Sequence, residues 1–239
     1  MSDKPILFSA PMVRAILREI EQPGTGKTQT RRLINFEGIE SVVEFVPVAT
    51  DNKSGRRVYE MKDAAGQFFA RPAGKHLVEY HFMPRHAAGD RLYVQEAWRT
   101  SGSLNSSRPR DLPTSSAILF EADGAPAPVW RGKKRPGMFM PRWASRITLI
   151  VTDVRVQRLQ EISEADAIAE GAEVSRVPGL DGGPMVATEN PHIYATPYRW
   201  FRELWDTLNA ARGYGWDANP WVAAYTFRPI LGNIDQVQP

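Results

Sequence analysis

The residue types that could do chemistry are concentrated in one short segment near the start of the chain. Residues 24–32 read Gly-Thr-Gly-Lys-Thr-Gln-Thr-Arg-Arg, so an amine, several hydroxyl groups and two guanidinium groups lie close together. Cationic side chains of this kind can hold a phosphate or a base. A threonine hydroxyl is a weak nucleophile that becomes reactive when an adjacent base takes its proton. Lys27 could be that base if desolvation, or the nearby cations Arg31 and Arg32, lower its pKa.

The Gly-Lys-Thr core of this segment resembles a phosphate-binding loop of nucleotide hydrolases. That loop requires a glycine five positions before the Gly-Lys pair, with a strand before the loop and a helix after it. Here the residue five positions before Gly26 is Glu21, and an amphipathic helix is predicted to precede the loop. The sequence therefore argues against a nucleotide hydrolase of this type.

Basic and aromatic residues are interleaved in the middle of the chain. The chain has 30 Lys and Arg against 27 Asp and Glu, and arginine is far commoner than lysine. Residues 131–152 include no acid, and the basic and aromatic residues in or beside them are Trp130, Arg131, Lys133, Lys134, Arg135, Phe139, Arg142, Trp143 and Arg146. This pattern is typical of nucleic-acid contact, since basic charge attracts phosphates and rings stack on bases. A strand edge protected by charge is the alternative interpretation.

Composition excludes several classes of site. The chain has no cysteine, which excludes disulfides, thiolate zinc sites and cysteine nucleophiles. Its four histidines do not have HExxH spacing, so we expect neither a metal nor another cofactor. No apolar run reaches the roughly 18 residues of a membrane span, and residues 1–8 lack the layout of a signal peptide. We therefore expect a cytoplasmic protein without a membrane partner, whose oligomeric state stays open.

Local patterns predict strands and helices interspersed along the chain, without an internal repeat. Apolar residues alternate in the predicted strands and recur at helical spacing in the predicted helices. The predicted elements are a strand at 5–10, an amphipathic helix from Pro11, strands at 91–98, 146–159 and 221–227, a short helix between Ser163 and Gly171, and an amphipathic helix from Thr196-Pro197. Ser163 followed by Asp166 is typical of a capping box. We expect one α+β domain over 1–239, with a curved sheet or small β-barrel and a few flanking helices.

The order of these elements is similar to that of the activating signal cointegrator homology (ASCH) family, whose fold is a PUA-like β-barrel. The family motif is G-x-K-x-x-x-x-R directly after the first helix, and Lys27 and Arg32 have that spacing. The position two before the lysine is Thr25, with glycine on both sides of it. The chain is also similar to ASCH-like proteins carried by bacteriophages and prophages.

The resemblance extends over several later segments. They are the Gly89-Asp90 turn with its strand, the strand at 147–159, the helix at 162–171 and the final strand. Three other segments look like insertions into the compact family core, near residues 35–85, 100–135 and 174–196. The segment 174–196 is rich in Gly and Pro and is predicted to be a long loop.

One branch of this family comprises small amidohydrolases that remove the acyl group from N4-acetylcytidine and related N4-acylated cytosines. The resemblance implies that Lys27 is the proton acceptor, Thr30 the nucleophile and Glu170 the proton donor. Other ASCH and PUA-like domains bind RNA or modified bases without turnover. The sequence thus leaves two interpretations open. One is an amidohydrolase that acts on a modified nucleoside, and the other is a non-catalytic module that binds RNA or modified DNA.

Further residues are predicted to bind the substrate or a nucleic acid. They are Arg31, Arg32, Glu96, Trp98, Arg142, Trp143 and Arg146. Alternation along the strand puts Glu96 and Trp98 on one face, where they could line the same cavity as the Lys27 segment. The alternative for Glu96 is a structural ion pair with Arg31 or Arg99.

Overall fold

The computed structural model describes residues 3–73, 76–124, 128–175, 185–187 and 194–237. Its strands in chain order are β1 (Asp3–Leu7), β2 (Gln29–Leu33), β3 (Glu44–Thr50), β4 (Arg57–Lys62), β5 (Ala70–Ala73), β6 (His76–Glu79), β7 (Arg91–Gln95), β8 (Trp98–Arg99), β9 (Leu119–Phe120), β10 (Ile147–Arg158), β11 (Val174–Ser175), β12 (Met185–Ala187), β13 (Tyr194–Ala195) and β14 (Trp221–Leu231). Its α-helices are α1 (Ala10–Glu21), α2 (Glu164–Ala169) and α3 (Pro197–Asn209). Short 3-10 helices lie in several of the connections.

A five-stranded sheet with the order β1-β7-β10-β14-β2 forms the centre of the molecule. Strand β1 is parallel to β7, and the other neighbours are antiparallel. Strands β10 and β14 pair along most of their length, with an irregularity between Val151 and Asp153. Ile147, Leu149 and Val151 are buried in the core. The predicted strands at 146–159 and 221–227 and the α+β class are confirmed.

The sheet is open, so the small closed barrel considered from the sequence is wrong for the part of the chain that the structure describes. A barrel requires its first and last strands to pair, but β1 and β2 are the two edges of this sheet. Arg32 Nη2 instead donates to the carbonyl oxygen of Leu7 at 2.8 Å, and its guanidinium lies 5.1 Å from the ring centre of Phe8. Arg32 thus bridges two strand edges that in a closed barrel would be hydrogen-bonded about 4.8 Å apart. We call the gap between β1 and β2 the seam.

The predicted insertions carry small sheets of their own. Within 35–85, β3 pairs with β4 and β5 pairs with β6, and Phe45, Tyr59 and Met61 join the main core. The prediction of a continuous loop over 174–196 is wrong, because β11, β12 and β13 form a three-stranded sheet there. The strands contain only two or three residues each, too few for a visible alternating pattern. Residues 176–184 and 188–193 lie outside the described part of this segment.

The helices pack through the faces that their sequence patterns predict. Helix α1 buries Val13, Ala15 and Ile16. A separate apolar cluster joins α2 and α3 with the strand ends, and its members are Leu159, Ile162, Ala167, Phe201, Trp205, Trp216 and Val222. The predicted capping box of α2 is confirmed, since the Ser163 hydroxyl accepts the backbone N–H of Asp166 at 3.0 Å.

Two glycines allow the turn after α1 to lie close to its neighbours. A Cβ at Gly26 would come within 2.3 Å of the backbone of α1, at the Ala15 oxygen and the Glu19 nitrogen. Gly171 ends α2 with a φ of +108°, and a Cβ there would lie 2.9 Å from the Ala15 Cβ and 3.3 Å from the Lys27 Cβ. Helix α1, the turn and the end of α2 therefore touch one another around Lys27.

We predict that Gly26→Ala destabilises the protein by about 3 kcal/mol, at the upper end of the usual range for overpacking. The added methyl group meets backbone atoms that cannot rotate away. Urea denaturation followed by tryptophan fluorescence measures the loss. Gly102→Ala is the matched control, because the nearest atom to its Cβ is 3.6 Å away. Equal stability of the two variants would contradict this account of the turn.

Candidate active site

Glu19 holds the Gly-Lys turn against α1. Its Oε2 accepts the backbone N–H of Gly26 at 2.8 Å, and both of its carboxylate oxygens lie 3.0 Å from the backbone nitrogen of Gly24. The backbone N–H of Lys27 donates to the carbonyl oxygen of Ala15 at 2.9 Å. Protein acceptors therefore occupy these amides, which is consistent with the sequence argument against a phosphate-binding loop.

Lys27 and Glu170 form a buried pair between this turn and the end of α2. The Lys27 Nζ donates to Glu170 Oε2 and to the Glu170 carbonyl oxygen, both at 2.7 Å. The two residues are 1% and 3% exposed. Burial lowers the pKa of Lys27 from its ordinary value of 10.5, and the charges of Arg31 and Arg32 act in the same direction, against the attraction of Glu170. Lys27 therefore loses its proton more readily than an exposed lysine does.

Arg31 contacts the second oxygen of Glu170 and extends the pair into a network. Its Nη1 lies 3.1 Å from Glu170 Oε1, and its Nη2 lies 2.9 Å from Asp166 Oδ2. Gln29, on the same face of β2, accepts a hydrogen bond from Arg31 and donates to Asp166 Oδ1 at 3.1 Å. Burial raises the pKa of Asp166, but Arg155 and Arg31 outweigh this effect and hold it below its usual range.

A cavity of about 470 Å³ opens beside this network at the seam, and we call it the Lys27 pocket. Its polar and charged lining residues are Ser9, Lys27, Thr30, Arg31, Arg32, Glu170, Asn209 and Arg212. Its apolar lining includes Phe8, Met12, Phe201 and Trp205. Pockets of this size hold small organic ligands, which bind to mostly apolar walls with a few polar groups. The aromatic rings suit a flat ligand.

The structure brings together five of the residues that the sequence singled out. Lys27 and Glu170 are in direct contact, and Thr30, Arg31 and Arg32 line the same pocket. Lys27 lies in the turn and Thr30 in β2, where Thr30 is in register with Tyr225 of β14. Thr30 is 5% exposed and is among the residues that line the pocket. One base, one hydroxyl and one acid thus surround a single cavity.

The structure places Glu96 and Trp98 elsewhere. Glu96 is buried and pairs with Arg146 at 2.9 Å, and Arg146 also contacts Asp123 at 2.6 Å. Burial raises the pKa of Glu96, and Arg146 opposes this effect. Trp98 is fully buried in a small apolar cluster with Leu112, Met140 and Ala144. The expected ion pair of Glu96 is present, but its partner is neither Arg31 nor Arg99.

Arg142 and Trp143 also lie away from the Lys27 pocket. Arg142 forms ion pairs with Asp3 at 2.6 Å and with Asp235 at 2.5 Å, and these contacts raise its pKa. Trp143 packs against the cluster around Trp98. Two arginines of the basic stretch, Arg142 and Arg146, are thus occupied by acids that are distant in sequence.

Several residues of the site carried no recognisable sequence signal. Phe8, Phe201 and Trp205 line the pocket, although the helical spacing of residues after Thr196-Pro197 predicted only an amphipathic helix there. Asp166 was identified as a helix cap, and in the structure it also binds Arg31. The alternation of Gln29 and Arg31 on one strand face is the one signal that could have suggested a shared partner.

Neither a metal centre nor a membrane segment is found in the described ranges. They contain no group of three or more His, Asp or Glu side chains placed to hold a metal ion. No helix in them has the length and apolar character needed to cross a membrane. In comparisons with known proteins, no family model, no curated protein and no solved structure matches this chain.

Lys27 and Glu170 can share one proton, so the pair can exchange protons with a bound molecule. With the proton on Lys27, the pair is an ammonium and a carboxylate. With the proton on Glu170, it is a free amine and a carboxylic acid, which are a base and an acid side by side. Burial lowers the pKa of Lys27 and so favours its free amine over the ammonium.

We predict that Glu170→Gln costs about 3–5 kcal/mol of stability at pH 7, because Lys27 loses its buried counter-charge. In this variant the folded pKa of Lys27 falls far below the ordinary 10.5, so the unfolded chain binds a proton that the folded chain lacks. Stability then rises with pH by up to about 1.4 kcal/mol per unit below pH 10.5. Urea denaturation of variant and wild type at pH 7, 8 and 9 measures the difference.

Glu173→Gln is the control for this experiment. Glu173 pairs with Arg18 at 3.3 Å, but its side chain is 79% exposed. The expected loss is therefore below about 1 kcal/mol at every pH. If the loss of unfolding free energy caused by Glu170→Gln were the same at pH 7 and pH 9, Lys27 would be charged in the folded variant. That result would contradict the prediction.

Proposed function

We propose that this protein is an amidohydrolase that removes the acyl group from an N4-acylated cytosine base or nucleoside. The observation that carries the proposal is the buried contact between Lys27 and Glu170 on a pocket that Thr30 also lines. The proposal includes membership of the ASCH family, with the sheet open at the seam instead of closed into the family's barrel. Its support is the order of β1, α1, the Gly-Lys turn and β2, followed later by β10 and α2.

The first half of the reaction forms an ester on Thr30. Its hydroxyl oxygen attacks the acyl carbonyl carbon, and the hydroxyl proton passes to the neutral amine of Lys27. The bond between the carbonyl carbon and the exocyclic nitrogen then breaks. Glu170 donates its proton to that nitrogen, and cytosine leaves with a free amino group. Lys27 is then an ammonium and Glu170 a carboxylate.

The second half of the reaction hydrolyses the ester. Water attacks the acyl carbon and gives a proton to the Glu170 carboxylate. Lys27 returns its proton to the Thr30 oxygen as the ester bond breaks, so that a carboxylic acid leaves and all three groups regain their starting forms. Arg31 contributes by positioning, because its contacts with Glu170 and Asp166 fix the carboxylate beside Lys27.

The pocket also supports a flat heterocyclic substrate. Its volume of about 470 Å³ is within the range of small-ligand pockets. Phe8, Phe201 and Trp205 provide rings against which a cytosine ring can pack. The site lies at the seam, so a substrate can enter between two strand edges without displacing a strand.

We predict that the purified protein converts N4-acetylcytidine to cytidine and acetate. Thr30→Val and Lys27→Met abolish turnover, and Glu170→Gln lowers kcat by at least about 100-fold, in line with the usual contribution of general acid catalysis. Thr30→Ser, which keeps the hydroxyl, retains activity. Liquid chromatography of the reaction mixture measures cytidine directly.

Matched controls separate chemistry from folding. Thr152→Val and Lys53→Met make the same chemical changes at exposed positions and should retain wild-type rates. Circular dichroism shows which inactive variants are folded. If the wild-type protein turns over no N4-acylcytosine of any acyl length, the proposal is wrong.

A non-catalytic nucleic-acid-binding module is the second candidate, and the exposed aromatic and basic residues of the segment 130–139 favour it. The side chains of Trp130, Met138 and Phe139 are exposed, at 45%, 61% and 56%. Arg131 and Lys133, in the same basic stretch, are also exposed. Exposed rings beside cations are typical of surfaces on which single-stranded bases stack.

For this second function, we predict that a single-stranded RNA oligonucleotide binds more weakly as salt rises from 50 to 200 mM. Each cation that contacts a phosphate contributes about one unit to the slope of log affinity against log salt. The double variant Arg131→Gln, Lys133→Gln should therefore flatten that slope, and Arg228→Gln, at another exposed position, should not. Fluorescence anisotropy measures both. Binding that is insensitive to salt and to the double variant would exclude this function.

A further inference from the structure

A second cavity of about 440 Å³ adjoins the Lys27 pocket at the seam. Leu7, Arg32 and Leu33 line both cavities, so Arg32 forms part of the wall between them. Arg85 supplies a second guanidinium to the lining, and it is exposed at the surface. None of the described residues that line this cavity is an Asp or a Glu. The cavity is therefore a positively charged site next to the candidate catalytic groups.

His86 lines the same cavity and has an unsatisfied polar atom. The residue is 5% exposed, and its Nδ1 is buried without a hydrogen-bond partner in the described structure. Its ring lies 5.1 Å from that of Tyr225, which also lines the cavity. A buried polar group without a partner costs about 1–3 kcal/mol. Such groups are rare in native proteins, and a polar group of a ligand in the cavity would supply the partner.

The charges around His86 favour an anion. Burial lowers the pKa of His86 to about 4, with Lys4 and Arg85 and Arg32 acting in the same direction. The negative charge of Asp90 raises the pKa of His86, against these effects. Asp90 also forms an ion pair with Lys4 at 3.0 Å. An anion in the cavity would relieve the repulsion among these cations and would accept a hydrogen bond from the imidazole.

We propose that this second cavity binds the phosphate group of a nucleotide whose acylated cytosine occupies the Lys27 pocket. The inference rests on the proposed function, since it names the class of substrate: an N4-acylcytidine monophosphate in preference to the nucleoside. Arg32 and Arg85 hold the phosphate, because guanidinium groups match phosphate oxygens in pairs. His86 donates a third hydrogen bond from its buried nitrogen. The two cavities share Leu7, Arg32 and Leu33 in their linings, so the base and the phosphate of one molecule can lie on either side of Arg32.

Kinetics with matched substrates test this inference. We expect kcat/KM for N4-acetylcytidine 5′-monophosphate to exceed that for N4-acetylcytidine by about tenfold or more, as charge-assisted hydrogen bonds to a phosphate would give. Arg85→Gln should reduce the ratio of the two values to near one. Arg110→Gln changes an exposed arginine elsewhere and should preserve the ratio. Hydrolysis of the nucleoside with no preference for the nucleotide would overturn the phosphate site and leave the proposed function intact.

Binding measurements test the phosphate site even if no acylcytosine is hydrolysed. Isothermal titration calorimetry compares cytidine, cytidine 5′-monophosphate and inorganic phosphate, with wild type and Arg85→Gln. Tighter binding of the monophosphate than of cytidine, lost in the variant, supports the site. Equal affinity for cytidine and its monophosphate overturns it. Inorganic phosphate that binds as tightly as the monophosphate would also overturn it, because the cavity would then be an anion site independent of the base.

The titration of His86 gives a readout that does not depend on any variant. Proton NMR should show the pKa of His86 rising from about 4 by at least about one unit when cytidine 5′-monophosphate binds, because a nearby negative charge favours the imidazolium form. Cytidine should leave this pKa unchanged. An unchanged pKa at saturating monophosphate would place the phosphate away from His86 and would contradict the inference.

Discussion

The fold around the site depends on the buried charges of Lys27, Arg31 and Glu170. Charges removed from water destabilise a protein unless each has a partner at close range. Here the carboxylate of Glu170 receives Lys27 on one oxygen and Arg31 on the other. The requirement ties the turn after α1, the strand β2 and the end of α2 into one arrangement. Gly26 and Gly171 make that arrangement possible, since a side chain at either position would collide with α1.

The open edge of the central sheet lies beside the buried network and leaves room for two cavities. Closure into a barrel would have buried the edges of β1 and β2 in a continuous ladder. Instead, Arg32 of β2 reaches the carbonyl oxygen of Leu7, and cavities lie on both sides of the bridge. One arginine thus stabilises an unpaired strand edge and divides the space beside it. The pocket takes its polar groups from the turn after α1, from β2 and from the end of α2, and its flat apolar walls from Phe8 and the residues of α3.

The arginine excess of the chain has a largely structural explanation. Arg142 and Arg146 stood out in the sequence because no acid lies near them in the chain. In the folded protein, acids from distant segments pair with both. Arginine suits such pairs because its planar group forms two hydrogen bonds with one carboxylate and keeps its charge when buried. The charge of a sequence segment is therefore a poor guide to the charge of the surface that it forms.

The sequence by itself determined the features that depend on residues a few positions apart. The capping box of Ser163 and Asp166, the long strand β10 and the exclusion of cysteine chemistry were all readable from it. Only the tertiary structure decided which distant groups meet. Glu170 lies 143 positions from Lys27, and the resemblance to a family suggested the pair but no local pattern could place the two side chains in contact. The same holds for the seam, because strand pairing and its absence are set by packing over the whole sheet and not by the propensity of any one strand.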